Sequence, residues 1–415
     1  MACLWLIGAS LLTVADAGVH GLRPRSVAPE VVAATRYGVL ENPGLNRDSC
    51  VSSAWKTNSV LWICRDTQAI NDDGSVQAAV IPNSASLSYN ASLTLPDSLR
   101  LASLPFGDPY FAAQSNACPP LGLCEDKTRH VGWPDSAPIT AVGEDGKAAD
   151  AYQFLERVHQ KDLTPLSRDG TQLWRILATE PVRAPELVDD AFWSADQVAY
   201  GAAGHVVRDG TVYLYGATSD GKLALARCSL QDSSLAALED RRRYEFFVQG
   251  GWKKDPPARD LPGLGLENTI KDQGTFFWSP LWDRYAWIGG NAFPNAEFRL
   301  SLADKPEGPW GPSTLIYTGK LGVGPLPAYS AVAHPALGDG SGKHLFISWT
   351  RTAALQPAAA LYEQPLSSPH WLPFGAWLLP MLRSLASKAR AVGHTGSSMD
   401  RPDAGAATHD GDALK

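Results

Sequence analysis

The sequence predicts an all-β protein, a five-bladed β-propeller with four-stranded antiparallel blades, and three observations lead there. Stretches with helical periodicity are scarce, while short runs rich in Val, Ile, Tyr, Trp and Phe recur between clusters of Gly, Asp, Asn and Pro. Tight hairpins are written into the chain: GHVVRDGTVYLYGA (204–217) sets Asp209-Gly210 between two β-rich runs, WSPLWDRYAWIGG (278–290) turns near Trp282-Asp283-Arg284, and HPALGDGSGKHLFISWTRT (334–352) turns through a Gly-rich loop. Five segments, beginning near Asp48, Asp135, His205, Phe277 and His334, share a plan: a polar or His-containing start, a short strand, a turn, a strongly aromatic strand and a further strand. Their intervals are irregular, but each is long enough for a four-stranded blade and a loop. A β-sandwich with long insertions is the competing architecture.

The N-terminus, MACLWLIGASLLTVADAG, has an apolar stretch over residues 3–14 followed by Ala15-Asp16-Ala17, a small-residue cleavage pattern. Residues 1–17 therefore read as a secretory signal, with a buried N-terminal helix as the alternative, and the protein is expected outside the cell. The propeller is expected over 36–365. A short apolar and basic segment follows at 366–392; Pro373, Pro380 and the basic residues from Arg383 interrupt it too early for a membrane span. The Gly-, Ala-, Ser- and Asp-rich stretch 393–415 reads as a disordered tail.

The 415 residues carry a net charge of −7, which offers a polyanion such as nucleic acid no reason to bind. Mild acidity together with 14 Trp suits a neutral ligand such as a sugar ring, although most of these indoles must serve the core. A polysaccharide or oligosaccharide is thus the expected partner, the chain is expected to be a monomer, and no cofactor or metal is called for. The cysteines form no Cys-x-x-Cys pair and no common zinc spacing. With Cys3 removed in the signal, Cys50, Cys64, Cys118, Cys124 and Cys228 leave two disulfides and one spare thiol, natural in an oxidising compartment. Cys118–Cys124 is the expected local pair, across PPLGL. One glycosylation sequon, Asn90-Ala91-Ser92, lies in a Ser-rich stretch.

The chemistry concentrates in residues 46–68, NRDSCVSSAWKTNSVLWICRDTQ, which nearly mirrors itself. A hairpin turning around Lys56-Thr57-Asn58, with opposed positions summing to 114, brings Cys50 against Cys64 and Asp48 against Asp66 at once. Directly opposed Cα atoms lie roughly 4.5–5.5 Å apart, within reach of a disulfide. Residues two apart share a face of a strand, so the carboxylates stand one step beyond the bridge, while Arg47 and Arg65 are expected on the opposite face. Two facing aspartates repel. Acid/base chemistry explains their retention, because like charges split the two pKa values and leave one proton to give and one carboxylate to take it. The plain alternative is that each Asp caps a turn.

With these residues the chain resembles the propeller proteins of domain of unknown function 4185 and their secreted fungal relatives. The resemblance rests on RDSC and CRDT around Asp48 and Asp66, on GHVVRDGTVYLYG, GTFFWSPLWDRYAWIGG, ADKPEGPW (303–310), AHPAL and ISWTRT, and it spans about 36–365. More distantly it resembles the propellers of glycoside hydrolase family 43. The first resemblance implies an endo-acting glycosidase that cuts arabinofuranose polymers with an N-terminal aspartate pair, here Asp48 and Asp66. The second implies an Asp from blade two, which Asp135 supplies, and a Glu from blade three, where this chain has His205.

The expectation is therefore a secreted glycoside hydrolase acting on a polysaccharide, arabinan-like furanosides included, with Asp48 and Asp66 catalytic. Asp135, His205, Phe277, Trp278 and His334 are expected to bind substrate, the histidines because both are read as opening their blades. The alternative is a non-catalytic carbohydrate-binding propeller.

Overall fold

The structure, a computed structural model, describes residues 29–371 apart from 90–98, 105–106, 113–123, 142–145, 147–148, 163, 180–181, 231–233, 270–271, 291–293, 338–340 and 358. The expected signal, the sequon at Asn90, Cys118 and both C-terminal segments from 372 onward lie outside the described residues.

Strands dominate, as the short β-rich runs require. Five large sheets follow one another along the chain. The first is built from Cys50–Lys56, Ser59–Cys64, Ser84–Tyr89 and Ala102–Ser103, and the second from Thr128–Gly132, Ala151–Lys161, Thr164–Ile176 and Glu186–Trp193. The third runs through Gly204–Arg208, Thr211–Ala217, Leu223–Ser229, Tyr244–Val248 and Gly251–Lys253. Gly274–Ser279, Arg284–Gly289, Glu297–Ala303 and Thr314–Thr318 make the fourth. In the fifth, Ala328–His334, Phe346–Leu355 and Pro365–Trp371 are joined by Val31–Glu41, which runs antiparallel to Pro365–Trp371, so both ends of the described chain share one sheet. The sheets are not uniformly four-stranded: the third has five strands and the fifth six. The third gains the short Gly251–Lys253 hairpin strand, and the fifth gathers strands from distant parts of the chain.

The apolar faces pack consecutively. Tyr152, Phe154 and Trp193 of the second sheet meet Leu214, Ala226 and Phe246 of the third in one cluster. Tyr215 and Leu225 of the third meet Phe276 and Trp287 of the fourth. Ile288 and Phe298 of the fourth meet Ala331, Ile347 and Trp349 of the fifth, while Phe346 and Leu366 of the fifth join Trp62 and Cys64 of the first. Leu61 and Ile63 then close on Leu155 and Trp174 of the second sheet. Each fully buried aliphatic or Phe side chain in such a cluster is worth roughly 1.5–3 kcal/mol relative to exposure. Close approach is enforced where the third and fourth sheets meet, since a Cβ on Gly204 would lie 2.5 Å from Phe276 Cδ2.

The hairpins form where the turn chemistry places them. Asp209 and Gly210 both have positive φ, 49° and 68°, the left-handed pair that matches the twist of a two-residue turn. Val332, Ala333 and His334 pair with Ser348, Ile347 and Phe346, so His334 closes its strand rather than opening it. The expected start was misplaced because the AYSAV run before His334 forms the strand, and the His-Pro step ends it. Pro365–Trp371 also carries the fifth sheet beyond the expected boundary at 365, because Val31–Val39 supplies its hydrogen bonds.

Candidate functional site

The mirrored segment folds as its symmetry dictates. Cys50 pairs with Cys64 and the register sum of 114 holds to Ala54–Val60, then shifts at Trp55 so that Lys56 faces Ser59 and the turn is Thr57-Asn58, with Asn58 at φ 61°. Cys50 and Cys64 are disulfide-bonded across a Cα separation of 4.0 Å. On the other side of the bridge the same sum reappears in Arg47–Thr67, Asn46–Gln68 and Leu45–Ala69. Between the two ladders stand Asp48 and Asp66, joined by a bond from the Asp48 amide to the Asp66 carbonyl of 2.9 Å.

The ladder is broken there by Ser49, whose φ of 37° is left-handed. The Arg65 amide donates to the carbonyls of both Asp48 and Ser49, and strand alternation no longer governs these residues. This overturns the expectation that both flanking arginines turn away from the acids. Arg65 lies close enough to Asp48 to lower its pKa, and it pairs through Nη2 with Asp135 Oδ1. Arg47 behaves as expected: it is buried and donates to Asn42, Ser86 and Ala85.

The two aspartates sit in different environments. Asp48 is half-buried; Thr350 Oγ1 donates to its Oδ1 at 3.3 Å while accepting from the Ser49 amide at 2.9 Å, and Tyr329 also hydrogen-bonds its carboxyl. Burial of the charge pushes Asp48 up to about 6, with Asp66 adding to the rise and Arg65, Tyr329 and Thr350 opposing it. Asp66 is clamped. Arg129 donates to both of its oxygens, at 2.9 and 2.8 Å, and Trp133 Nε1 donates to Oδ1 at 3.0 Å. Such bidentate pairs fix the carboxylate plane as well as its charge. The Arg65 guanidinium lies over the Trp133 ring at 5.3 Å from its centroid, tying Asp135 and Asp66 into one network.

Asp48, Asp66 and Asp135 are thus brought together; His205 bonds Ser136, the residue after Asp135, while Phe277, Trp278 and His334 do not join them. His205, Phe277 and Trp278 line a cavity of about 320 Å³ that follows the inner strands downstream, from Val51, Gly204 and Gly274 to Ala54, Val207 and Trp278. Gln273 Nε2 donates to Ser49 Oγ at 2.8 Å and so sets residue 273 level with the start of the first sheet. At about 3.3 Å per residue, Trp278 lies roughly 16 Å further along. His205 meets Ser136 Oγ through Nδ1 at 3.2 Å, and burial lowers its pKa to about 4, keeping the ring neutral.

His334 has no surface for a ligand. It is 0% exposed, its Nδ1 and Nε2 meet Ser52 Oγ and Ser348 Oγ at 2.8 and 2.7 Å, and its ring packs on Trp62 at 4.9 Å. Burial drives its pKa down to about 3, so it is a neutral core group that ties the first sheet to the fifth. Trp349, another aromatic of this region, is buried among Phe298 and Tyr317. Cys124 is disulfide-bonded, while Cys228 is a free, buried thiol. Among the described residues no group of three His, Cys, Asp or Glu is placed to hold a metal, and no helix is long and apolar enough to cross a membrane.

Sequence reasoning missed Arg129 and Tyr329 altogether and misassigned Arg65. Arg129 carries no local signal in CEDKTRHVGW, since its partner lies 63 positions away. Arg65 was legible only through the kink at Ser49.

No family model matches the chain, so the resemblance to domain of unknown function 4185 gains nothing from that comparison, and no curated protein matches it either. Solved structures do match. A Bacteroides ovatus protein, whose hydrolase designation is itself an inference, aligns over 78% of this chain and 85% of its own at 16% identity and a TM-score of 0.51. That likeness carries the fold. An exo-β-1,3-galactanase of Phanerochaete chrysosporium aligns over 81% of this chain and 64% of its own, at 11% identity and a TM-score of 0.45. An α-L-arabinofuranosidase of Podospora anserina aligns over 80% and 94%, at 9% identity and a TM-score of 0.40.

Proposed function

We propose that the protein is a secreted glycoside hydrolase on a five-bladed β-propeller, acting on a polysaccharide, with arabinan-like furanosides the first class to test. The ring order of the five sheets, first on second and so on until fifth on first, supports the blade count, as does the N-terminal strand that completes the fifth sheet. The Cys50–Cys64 bridge suits an oxidising compartment.

The observation that carries the reading is the contrast within the aspartate pair. Asp48, raised to about 6, keeps a proton in mildly acidic solution and is suited to protonate the leaving glycosidic oxygen. Asp66, held by Arg129 and Trp133, presents an oriented carboxylate to the positive charge that develops at the anomeric carbon, or to the water that attacks it. Arg65, paired with Asp135, moderates the Asp48 pKa from the side. Asp135 acts through Arg65, and His334 supports the strands beneath. The hydrolase designation of the Bacteroides ovatus protein agrees with this class of reaction.

The test is reducing-end release by the purified chain from a polysaccharide panel that includes arabinans and galactofuranans, with the Asp48→Asn/Asp66→Asn double variant as control. Release by the wild type alone supports the reading and names the substrate class. The engagement of both Asp66 oxygens favours a second reading, a non-catalytic carbohydrate-binding propeller. Glycan binding without release from any polymer would establish that one.

A further inference from the structure

The cavity of about 320 Å³ beneath the aspartates has a chemistry of its own. Its lining includes no Asp, Glu, Lys or Arg. Its one titratable side chain, His205, is kept neutral by burial. Valines, alanines and Pro335 supply apolar walls, and Phe277 and Trp278 supply aromatic ones. Polar groups are few: Ser136 and Thr140 in the connection between Thr128–Gly132 and Ala151–Lys161, Ser52 and Ser53 on the first sheet, Thr275 on the fourth. Three of these are already engaged, Ser52 with His334, Ser53 with the Pro138 carbonyl and Thr275 with the backbone of Ala333. Ser136 Oγ meets His205 Nδ1 and the Ala137 carbonyl, which leaves His205 Nε2 and the Thr140 hydroxyl among the polar groups of the lining.

Two inter-sheet hydrogen bonds lie at the upstream level of this space, Gln273 to Ser49 and Ser136 to His205, and the carboxylates of Asp48, Asp66 and Asp135 are not in its lining. At its downstream limit the Trp278 indole is held rigidly. The Arg208 guanidinium lies over its ring at 3.4 Å and Tyr285 packs edge-on at 5.1 Å. Aromatic side chains together with a small set of hydroxyl and imidazole groups, in a lining of this size without charged residues, are the usual make-up of a small-molecule site. An ionic ligand would be desolvated here without a counter-charge.

We propose that this cavity is a second binding site, distinct from the aspartate site, that takes a small neutral polyhydroxy ligand, a monosaccharide or sugar alcohol, with its apolar face on the Trp278 side of the lining and its hydroxyls toward His205 and Thr140. The proposal does not rest on hydrolysis. A sugar seated here would be released product, a regulator or a fixed ligand, and its binding is measured the same way in each case.

The experiment is ligand-observed NMR with calorimetry on the full chain, using D-arabinose, D-galactose and xylitol as neutral probes and D-glucuronate as the charged control. Two cavity variants, Trp278→Ala and Ala336→Trp, are compared with the aspartate-site variant Asp66→Asn, each checked for folding by circular dichroism. Trp278→Ala removes the aromatic wall, while Ala336→Trp fills the space and keeps that wall. The expected result is binding of at least one neutral probe, at least tenfold weaker in a folded cavity variant, within twofold of wild type in Asp66→Asn, and absent for glucuronate. Failure of every neutral probe to bind, binding unaffected by the cavity variants, loss of binding in Asp66→Asn, or equal binding of glucuronate would each overturn it.

Discussion

Asp48 and His334 make an instructive pair. Both are enclosed polar groups on or beside innermost strands, both contact the first and fifth sheets, and both have pKa values displaced toward the neutral form by burial. They differ in how their polarity is satisfied. His334 is fully enclosed with a serine on each ring nitrogen, so nothing about it is left to react. Asp48 is only half-buried, shares its surroundings with a second carboxylate and an arginine, and sits beside a residue held at positive φ. A displaced pKa is common to both; access, a charged neighbour and local strain separate the chemical group from the structural one.

The sharpest way to break this contrast is to neutralise each acid in turn. Asp48→Asn and Asp66→Asn are each expected to lower turnover by about a thousandfold or more while polysaccharide binding persists, measured by reducing-end release and by calorimetry with the same polymer. Next in size, Arg129→Ala should cost on the order of a hundredfold in kcat by releasing the Asp66 plane, and Arg129→Lys, which keeps the charge and loses the fork, should recover only part of it. Steady-state kinetics on the two variants decides whether geometry or charge matters more.

Stability should respond on the other side of the comparison. His334→Ala strands the hydroxyls of Ser52 and Ser348 and opens a cavity against Trp62, so a loss of about 2–4 kcal/mol is expected in denaturant unfolding near neutral pH, and the loss should shrink as the pH falls from about 6.5 toward 3, where only the unfolded wild type takes up the His334 proton. Replacing Cys50 and Cys64 together by Ala frees a loop spanning a sequence separation of 14 and should cost about 3 kcal/mol.

The smallest effect concerns pH. Asp48 titrates at about 6 when folded against 3.8 as its ordinary value, so the folded state holds the extra proton between these pH values. Stability contributed by the neutral carboxyl is full below about 4 and is lost as the pH rises through about 6. Asp48→Asn removes that loss. The variant is expected to melt higher than wild type at pH 8 and close to it at pH 4, as read by thermal unfolding at the two pH values.

Much of this was legible in the chain, and the failures have physical causes. The mirrored Cys and Asp positions specify their own register, because a hairpin imposes a constant sum and two separate pairs satisfied it. Asp209-Gly210 announced its turn through backbone preference alone. Strand alternation misplaced Arg65, since a single left-handed residue, Ser49, cancels the rule locally. His334 was misread because a histidine before a proline looks alike at either end of a strand. Arg129, Trp133 and Tyr329 reach the aspartates only through the packing of one sheet beside another, and short-range pattern holds no record of that.

The most direct test is the pH dependence of reducing-end release on the best polymer from the panel, compared between wild type and Asp48→Asn. With Asp48 as proton donor, wild-type activity should fall on an alkaline limb centred near pH 6, and the variant should show almost no release at any pH. An Asp48→Asn variant that keeps substantial activity with the same alkaline limb would contradict the central claim.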